Sequence, residues 1–267
     1  MKILDNNGKT TPIRRPKPMR RFFINPANIT KERGIITDQE ARHISMVLRL
    51  KPGHVIALFD GNGTTYQAEI TAVKKTTVET TILASHQYQE APPFLSVAQA
   101  LVKGNKMDLI IQKATELGIS ALLPIITQHC DIKLASASQI GRWQRIAHEA
   151  CKQCDRPTPM PCHEAAPLPK LFTQVDDFSH KIIFWENEAT RTISDIPGLQ
   201  SAQRVLLLIG PEGGFSQQEA ESAINHGFSA VSLGPRILRA ETASIAAMAI
   251  VQFLLGNLNK KSPDFPT

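Results

Sequence analysis

The sequence predicts an α/β fold with a largely parallel sheet, preceded by a small β domain. Three observations carry this. From residue 94 to residue 258, short apolar runs alternate with amphipathic stretches, which is strand and helix in alternation. Residues 20–86 instead hold short strands separated by turn residues. Between them, residues 85–93 are polar and end in a diproline, so a linker is placed at 87–93.

The elements follow in order. Residues 1–18 are polar, with Pro12, Pro16 and Pro18 set among basic residues. No core can form there, and a disordered basic tail is expected. In residues 19–86, Thr37-Asp38-Gln39-Glu40 reads as a capping box that opens a short helix. Ile44, Val47 and Leu48 mark its apolar face and leave His43 and Arg49 outward. Pro52-Gly53 turns the chain into strands at 54–59, 65–70 and 76–82, with Asp60-Gly61-Asn62-Gly63 as a hairpin turn. This is the pattern of a small β-barrel.

In the α/β region, 94–101 is strand-like, and 106–117 is a helix stopped by Gly118. A strand at 121–127 and a helix at 140–153 follow. Strands are expected at 181–185, 204–209 and 229–233, and a helix at 217–226 ends at Gly227. Residues 243–255 are apolar on nearly all sides, the mark of a buried helix. Residues 259–267 form a tail.

Composition narrows the function classes. A hydrophobic fraction of 42% supports an ordinary core. No apolar run reaches membrane-span length, so a cytosolic protein is expected. The net charge of +6 arises entirely within residues 1–21, where seven basic residues face Asp5 alone. A nucleic-acid footprint on the folded part must therefore be local. Cys151, Cys154, Cys162 and His163 can be sketched as a zinc site, but Cys151 and Cys154 fall in a helix and no second CxxC exists. Buried or free thiols are the better reading, and no metal is expected.

Two loops organise the α/β region. The apolar run Val205-Leu206-Leu207-Leu208-Ile209 breaks into Gly210-Pro211-Glu212-Gly213-Gly214-Phe215, and Ser216-Gln217-Gln218-Glu219 then supplies a capping box. This is strand, glycine loop and helix start. Ligands of open α/β sheets bind at the carboxyl ends of strands. About twenty residues on, Val231-Ser232-Leu233 runs into Gly234-Pro235-Arg236-Ile237-Leu238-Arg239-Ala240-Glu241. Neither loop is a P-loop or a dinucleotide fingerprint. A single such turn reads equally well as an ordinary connection. Two in succession, carrying carboxylates and arginines, favour one ligand site.

These residues carry a resemblance. The strings IGPEGGFSQQE and LGPRILRAETA resemble the 16S ribosomal RNA uridine-N3 methyltransferases of the SPOUT superfamily. The resemblance extends to Lys113-Ala114-Thr115-Glu116-Leu117-Gly118, the helix from Arg142-Trp143 to Arg156, Arg20-Arg21-Phe22-Phe23 and His43–Arg49, and covers about residues 19–258. It implies a PUA-like RNA-binding barrel at 19–86 and a SPOUT domain with a trefoil knot at 94–258. It also implies a homodimer, S-adenosylmethionine as cofactor and the small (30S) ribosomal subunit RNA as substrate, with uridine 1498 as the target.

Site expectations follow from the motifs. Ile209, Gly210, Glu212, Gly213, Gly214, Leu233, Gly234, Ile237 and Leu238 are the candidate cofactor contacts. Arg239 is the candidate cation for a uracil anion, since a guanidinium can pair with a carbonyl oxygen. Glu241 is a candidate base, as is Glu212; either also suits cofactor binding or helix capping. Arg20, Arg21, His43, Arg49, Lys103, Arg142 and Arg156 are candidate RNA contacts, and Lys106 shares the position of Lys103 after the first strand. Lys113 and Glu116 read more simply as an ion pair on one helix face. Gln128-His129-Cys130 stands where the family often has an Arg-Ser pair, and His129 is a candidate replacement. A 2′-O-ribose methyltransferase and a non-catalytic ribosome-assembly protein remain the alternatives.

Overall fold

The computed structural model describes residues 2–4, 10–12, 19–131 and 136–258. The chain divides into two units, Met1–Gln89 and Glu90–Thr267. In the first, β1 (Lys2–Leu4) and β2 (Thr10–Pro12) pair antiparallel. This pairing falls within the stretch where a disordered tail is expected. The rest of residues 1–18 and the tail at 259–267 lie outside the described residues.

Strands β3 (Arg21–Phe23), β4 (Arg33–Thr37), β5 (Val55–Phe59), β6 (Thr64–Val73) and β7 (Thr77–Gln87) form one sheet, ordered β3-β5-β6-β7-β4. Only β3 and β5 run parallel. The outer strands β3 and β4 do not pair with each other among the described residues, so the small β-barrel expected here is not closed by strand pairing between them. Phe22, Ile36, Ile56, Leu58, Ile70 and Val78 bury one face against Ala41 and Ile44. The β5–β6 hairpin is fixed by Asp60, whose carboxylate accepts from the Asn62 and Thr64 N–H groups at 2.8 and 3.0 Å. The last strand, expected to end at 82, runs on through Gln87, the first linker residue, because the main chain finds partners on β6.

Ala41 lies on α1 (Asp38–Arg42), which continues into a π-helical turn at His43–Val47. The capping box expected at Thr37 does not form. Asp38 takes a left-handed φ of 55°, and the Thr37 hydroxyl donates to its carboxylate at 2.8 Å instead of meeting the helix.

The second unit is a six-stranded, all-parallel sheet. Its strands are β8 (Phe94–Ala100), β9 (Ala121–Ile126), β10 (Ala166–Pro167), β11 (His180–Phe184), β12 (Arg204–Ile209) and β13 (Phe228–Val231), ordered β10-β9-β8-β12-β11-β13. Val205, Leu206, Leu207 and Leu208 are fully buried at its centre, which explains the unbroken apolar run. Helices α2 (Lys106–Glu116), α3 (Ala137–Gln153) and α6 (Ala240–Leu254) pack together, with α6 against β8 and β12. Helix α4 (Leu168–Phe172) packs on β9 and β10, and α5 (Gln217–Asn225) on β13.

Two corrections matter for the site. Helix α3 starts at Ala137, through a capping box between Ser136 and Gln139. Helix α6 starts at Ala240, which brings Glu241 into its first turn. It is also not buried all round, since Ile250 and Phe253 are exposed. Its inner face is tied by buried polar groups: the Ser244 hydroxyl donates to Gln99 at 2.6 Å, and Gln252 donates to the Leu117 and Gly118 carbonyls.

Candidate active site

A parallel sheet puts the carboxyl ends of all its strands on one edge. Here the loops after β8, β9, β11, β12 and β13 meet there. The loop after β12 closes on itself, with the Gly214 N–H bonded to the Pro211 carbonyl at 3.1 Å. Gly214 takes a φ of +67°, which a side chain would strain. A Cβ on Gly213 would lie 2.9 Å from the Cβ of His129. His129 itself donates from Nδ1 to the Gly213 carbonyl at 2.9 Å. The helix that follows is anchored as expected: Ser216 and Glu219 form a reciprocal capping box. The same Glu219 also accepts from the Gln128 N–H at 2.7 Å, holding the loop after β9 against this loop.

Glu212 faces the start of α2. Its carboxylate accepts from the Lys103 N–H at 3.1 Å and from Lys106 Nζ at 2.8 Å. Burial pushes its pKa up, but these donors and its own backbone N–H outweigh that and hold it below the ordinary glutamate value. The same ammonium stands 3.6 Å from Glu241 Oε2. That oxygen is buried, has no hydrogen-bond partner, and belongs to a side chain only 15% exposed. Lys106 is held above the ordinary lysine value, chiefly by its bond to Glu212.

The loops after β11 and β13 complete the edge. Trp185 hydrogen-bonds through its main chain to Val231, and its indole N–H is buried without a partner. Glu186 lies against Gly214. Glu188 accepts from the Thr190 hydroxyl and from the Thr190 and Arg191 N–H groups, which lower its pKa to about 2. The Ser232 N–H bonds to the Arg191 carbonyl at 2.8 Å, tying the two loops. Gly234 has a φ of +104°, and Arg239 is the N-cap residue of α6.

The expected residues thus separate. Glu212, Gly213, Gly214 and Glu241 are joined through Lys106, His129 and their neighbours, and Ile209 and Leu233 pack on the core beneath them. Ile237, expected to line a cofactor slot, is instead 93% exposed, because its loop projects from the edge. Arg156, expected to hold a phosphate, is used internally. It donates to the Ile119 carbonyl at 2.6 Å and pairs with Glu90, leaving its side chain 10% exposed. Arg142 pairs with Asp108, and Lys103 pairs with Asp131 on the surface. Lys113 and Glu116 form the expected ion pair at 2.8 Å. In the first unit Arg20, His43 and Arg49 are exposed, while Arg21 stacks over the Phe59 ring at 4.4 Å. Cys151 donates to the Thr158 carbonyl at 3.3 Å, and no group of three metal-ligating side chains converges among the described residues. Burial pushes the Cys162 thiol up to about 12.

Sequence reasoning missed Trp185 and Glu186. Neither belongs to a glycine loop, and only the adjacency of β11 and β12 brings them to the edge. The positions fit S-adenosylmethionine in one respect: the Trp185 indole N–H and a Glu241 carboxylate oxygen are buried with no hydrogen-bond partner. The Gly213–Gly214 turn is instead packed against His129 and Glu186.

Known proteins agree with this geometry. The RNA methyltransferase domain family matches residues 89–252, and the RNA methyltransferase PUA domain family matches residues 36–83. The ribosomal RNA small subunit methyltransferase E of Synechocystis is 35% identical over 88% of this chain and 78% of its own length. That of Buchnera aphidicola from Schizaphis graminum is 32% identical over 81% of this chain and 89% of its own length. The crystal structure of a ribosomal RNA small subunit methyltransferase E from Neisseria gonorrhoeae, bound to S-adenosyl methionine, superposes with a TM-score of 0.78. It shares 34% identity and covers 88% of this chain and 98% of its own. With a glycine-loop site at the carboxyl edge of its sheet and relatives of this likeness over most of its length, the chain belongs to the ribosomal RNA small subunit methyltransferase E family.

Proposed function

We propose that this protein methylates N3 of a uridine in small-subunit ribosomal RNA, uridine 1498 by family resemblance, in the cytosol. The observation that carries the reading is Glu241, whose buried carboxylate oxygen has no hydrogen-bond partner and stands 3.6 Å from the Lys106 ammonium. Uracil N3 bears a proton at neutral pH and is a poor nucleophile until it is lost. Glu241 accepts that proton, while Arg239 pairs with a uracil carbonyl oxygen where negative charge gathers. S-adenosylmethionine, when bound, would supply an electrophilic methyl group. Ile209, Gly210, Gly213, Gly214, Leu233, Gly234 and Leu238 would hold it. The uridine must be unpaired or flipped, since N3 lies on the pairing edge.

Within the first unit, exposed Arg20, His43 and Arg49 suit phosphate contacts. Within the second, Lys103 and Arg142 would have to exchange Asp131 and Asp108 for phosphate. The trefoil knot is supported by connectivity: β13 lies beyond β11 from β12, yet α6 returns to β8 and β12. The homodimer is supported by the exposed apolar residues of α6. The test uses labelled S-adenosylmethionine and small subunits from cells lacking the endogenous enzyme, followed by nucleoside identification by mass. Label in 3-methyluridine is expected. Label in a 2′-O-methyl nucleoside overturns base methylation, and no label on any subunit or naked RNA overturns catalysis.

A further inference from the structure

We infer that Lys106 is a positioning residue that divides the labour of the two carboxylates, fixing Glu212 as a strut and leaving Glu241 as the proton acceptor. This rests on the proposed methylation. The two glutamates lie around one ammonium but are not equivalent. Glu212 Oε1 is committed twice, to Lys106 Nζ at 2.8 Å and to the Lys103 N–H at 3.1 Å. Glu241 Oε2 stands 3.6 Å from the same nitrogen, outside hydrogen-bond distance, and has no other partner.

A buried carboxylate oxygen without a donor is costly, and the cost is relieved when a ligand N–H reaches it. Among polar donors of the substrate, the uracil N3–H is the one the reaction must remove. Lys106 stands beside Glu241 without occupying its free oxygen. It can do so because Glu212 holds the ammonium back.

Among the described residues, Lys106 is the cation paired with Glu241. Lys106 comes from α2 and Glu212 from the loop after β12. Arg239 lies two residues earlier on Glu241's own segment. Lys103, the next cation on the α2 side, is paired with Asp131 at 2.8 Å. Removing Lys106 therefore leaves Glu241 beside a second carboxylate with its principal cation gone. The variant thereby sets a like charge near the proposed base with no cation to offset it, which disfavours loss of a proton there.

The experiment compares Lys106→Met and Lys106→Arg with the unaltered protein. Three quantities are read: kcat and KM on small subunits across pH, affinity for S-adenosylhomocysteine by calorimetry, and the Glu241 carboxyl titration by NMR with 13C-labelled glutamate. For Lys106→Met, kcat should fall by roughly a hundredfold, the lower end of the scale for losing one preorganised electrostatic group. KM should change little, and the acid limb of the rate profile and the Glu241 titration should both move to higher pH. Lys106→Arg should restore much of the rate and both pH positions. Unchanged kcat with an unmoved Glu241 titration in a folded Lys106→Met protein overturns the inference. So does a loss of kcat that arginine does not relieve and that leaves both pH positions in place. Absence of uridine methylation by the unaltered protein defeats the proposed function instead, and the titration still reads the Lys106–Glu241 coupling.

Discussion

Adding one methyl group to Gly213 or to Gly214 strains the same loop for different reasons. At Gly213 the new Cβ meets the Cβ of His129 at 2.9 Å, an atom fixed to its backbone, so one loop must move away from the other. At Gly214 the nearest atoms are the far end of the Glu186 side chain, which can swing aside. The cost there is the φ of +67°, about 1–2 kcal/mol for a residue with a side chain. Both Gly213→Ala and Gly214→Ala should weaken S-adenosylmethionine binding in calorimetry. Glu186→Ala should relieve neither, because the first clash lies elsewhere and the second cost is backbone strain. Arg239→Ala should lower kcat roughly a hundredfold with cofactor affinity held, since the guanidinium acts on charge that develops in the uracil. The glycines were legible as residue types. What each one makes room for was not, because His129 and Glu186 come from other loops.

Helix α5 shows how much a local motif can settle. Ser216 and Glu219 satisfy each other's N–H groups, as their spacing implies. Ser216→Ala should cost about 1 kcal/mol in urea unfolding. Glu219→Gln should cost more, because Glu219 also holds the Gln128 N–H. The same spacing failed at Thr37, where the left-handed Asp38 turns the chain away from capping geometry. Helix α6 marks a second limit. Its composition is apolar throughout, yet Phe253 is 55% exposed, because a helix has more faces than the sheet and α2 can cover. If that face joins two copies, Phe253→Asp should shift sedimentation from dimer to monomer while the isolated fold stays intact by circular dichroism.

For the second unit, pH acts on the Lys106–Glu212 tie from both ends. Glu212 is held below its ordinary 4.5, so its contribution is complete above that value and is lost as pH falls through the lowered one. Lys106 is held above its ordinary 10.5, so its contribution is complete below that value and is lost as pH rises through the raised one. The difference in melting temperature between the unaltered protein and Lys106→Met should therefore be level across the neutral range. It should shrink in acid and again in strong alkali. A difference that grows on acidification would contradict the assignment.

The alternation of strands and helices, the central buried strand, the two glycine loops and the family they resemble are all legible in the residues, because periodicity and turn chemistry are local. What those loops face is set by the packing of distant segments. Strand order set β12 between β8 and β11 and so brought Lys106, Trp185 and Glu186 to one edge. It consumed Arg156 internally, sent Ile237 outward and made two similar glutamates unequal. Each outcome depends on what other segments supply within a few ångströms, and that information is spread over a hundred residues of chain.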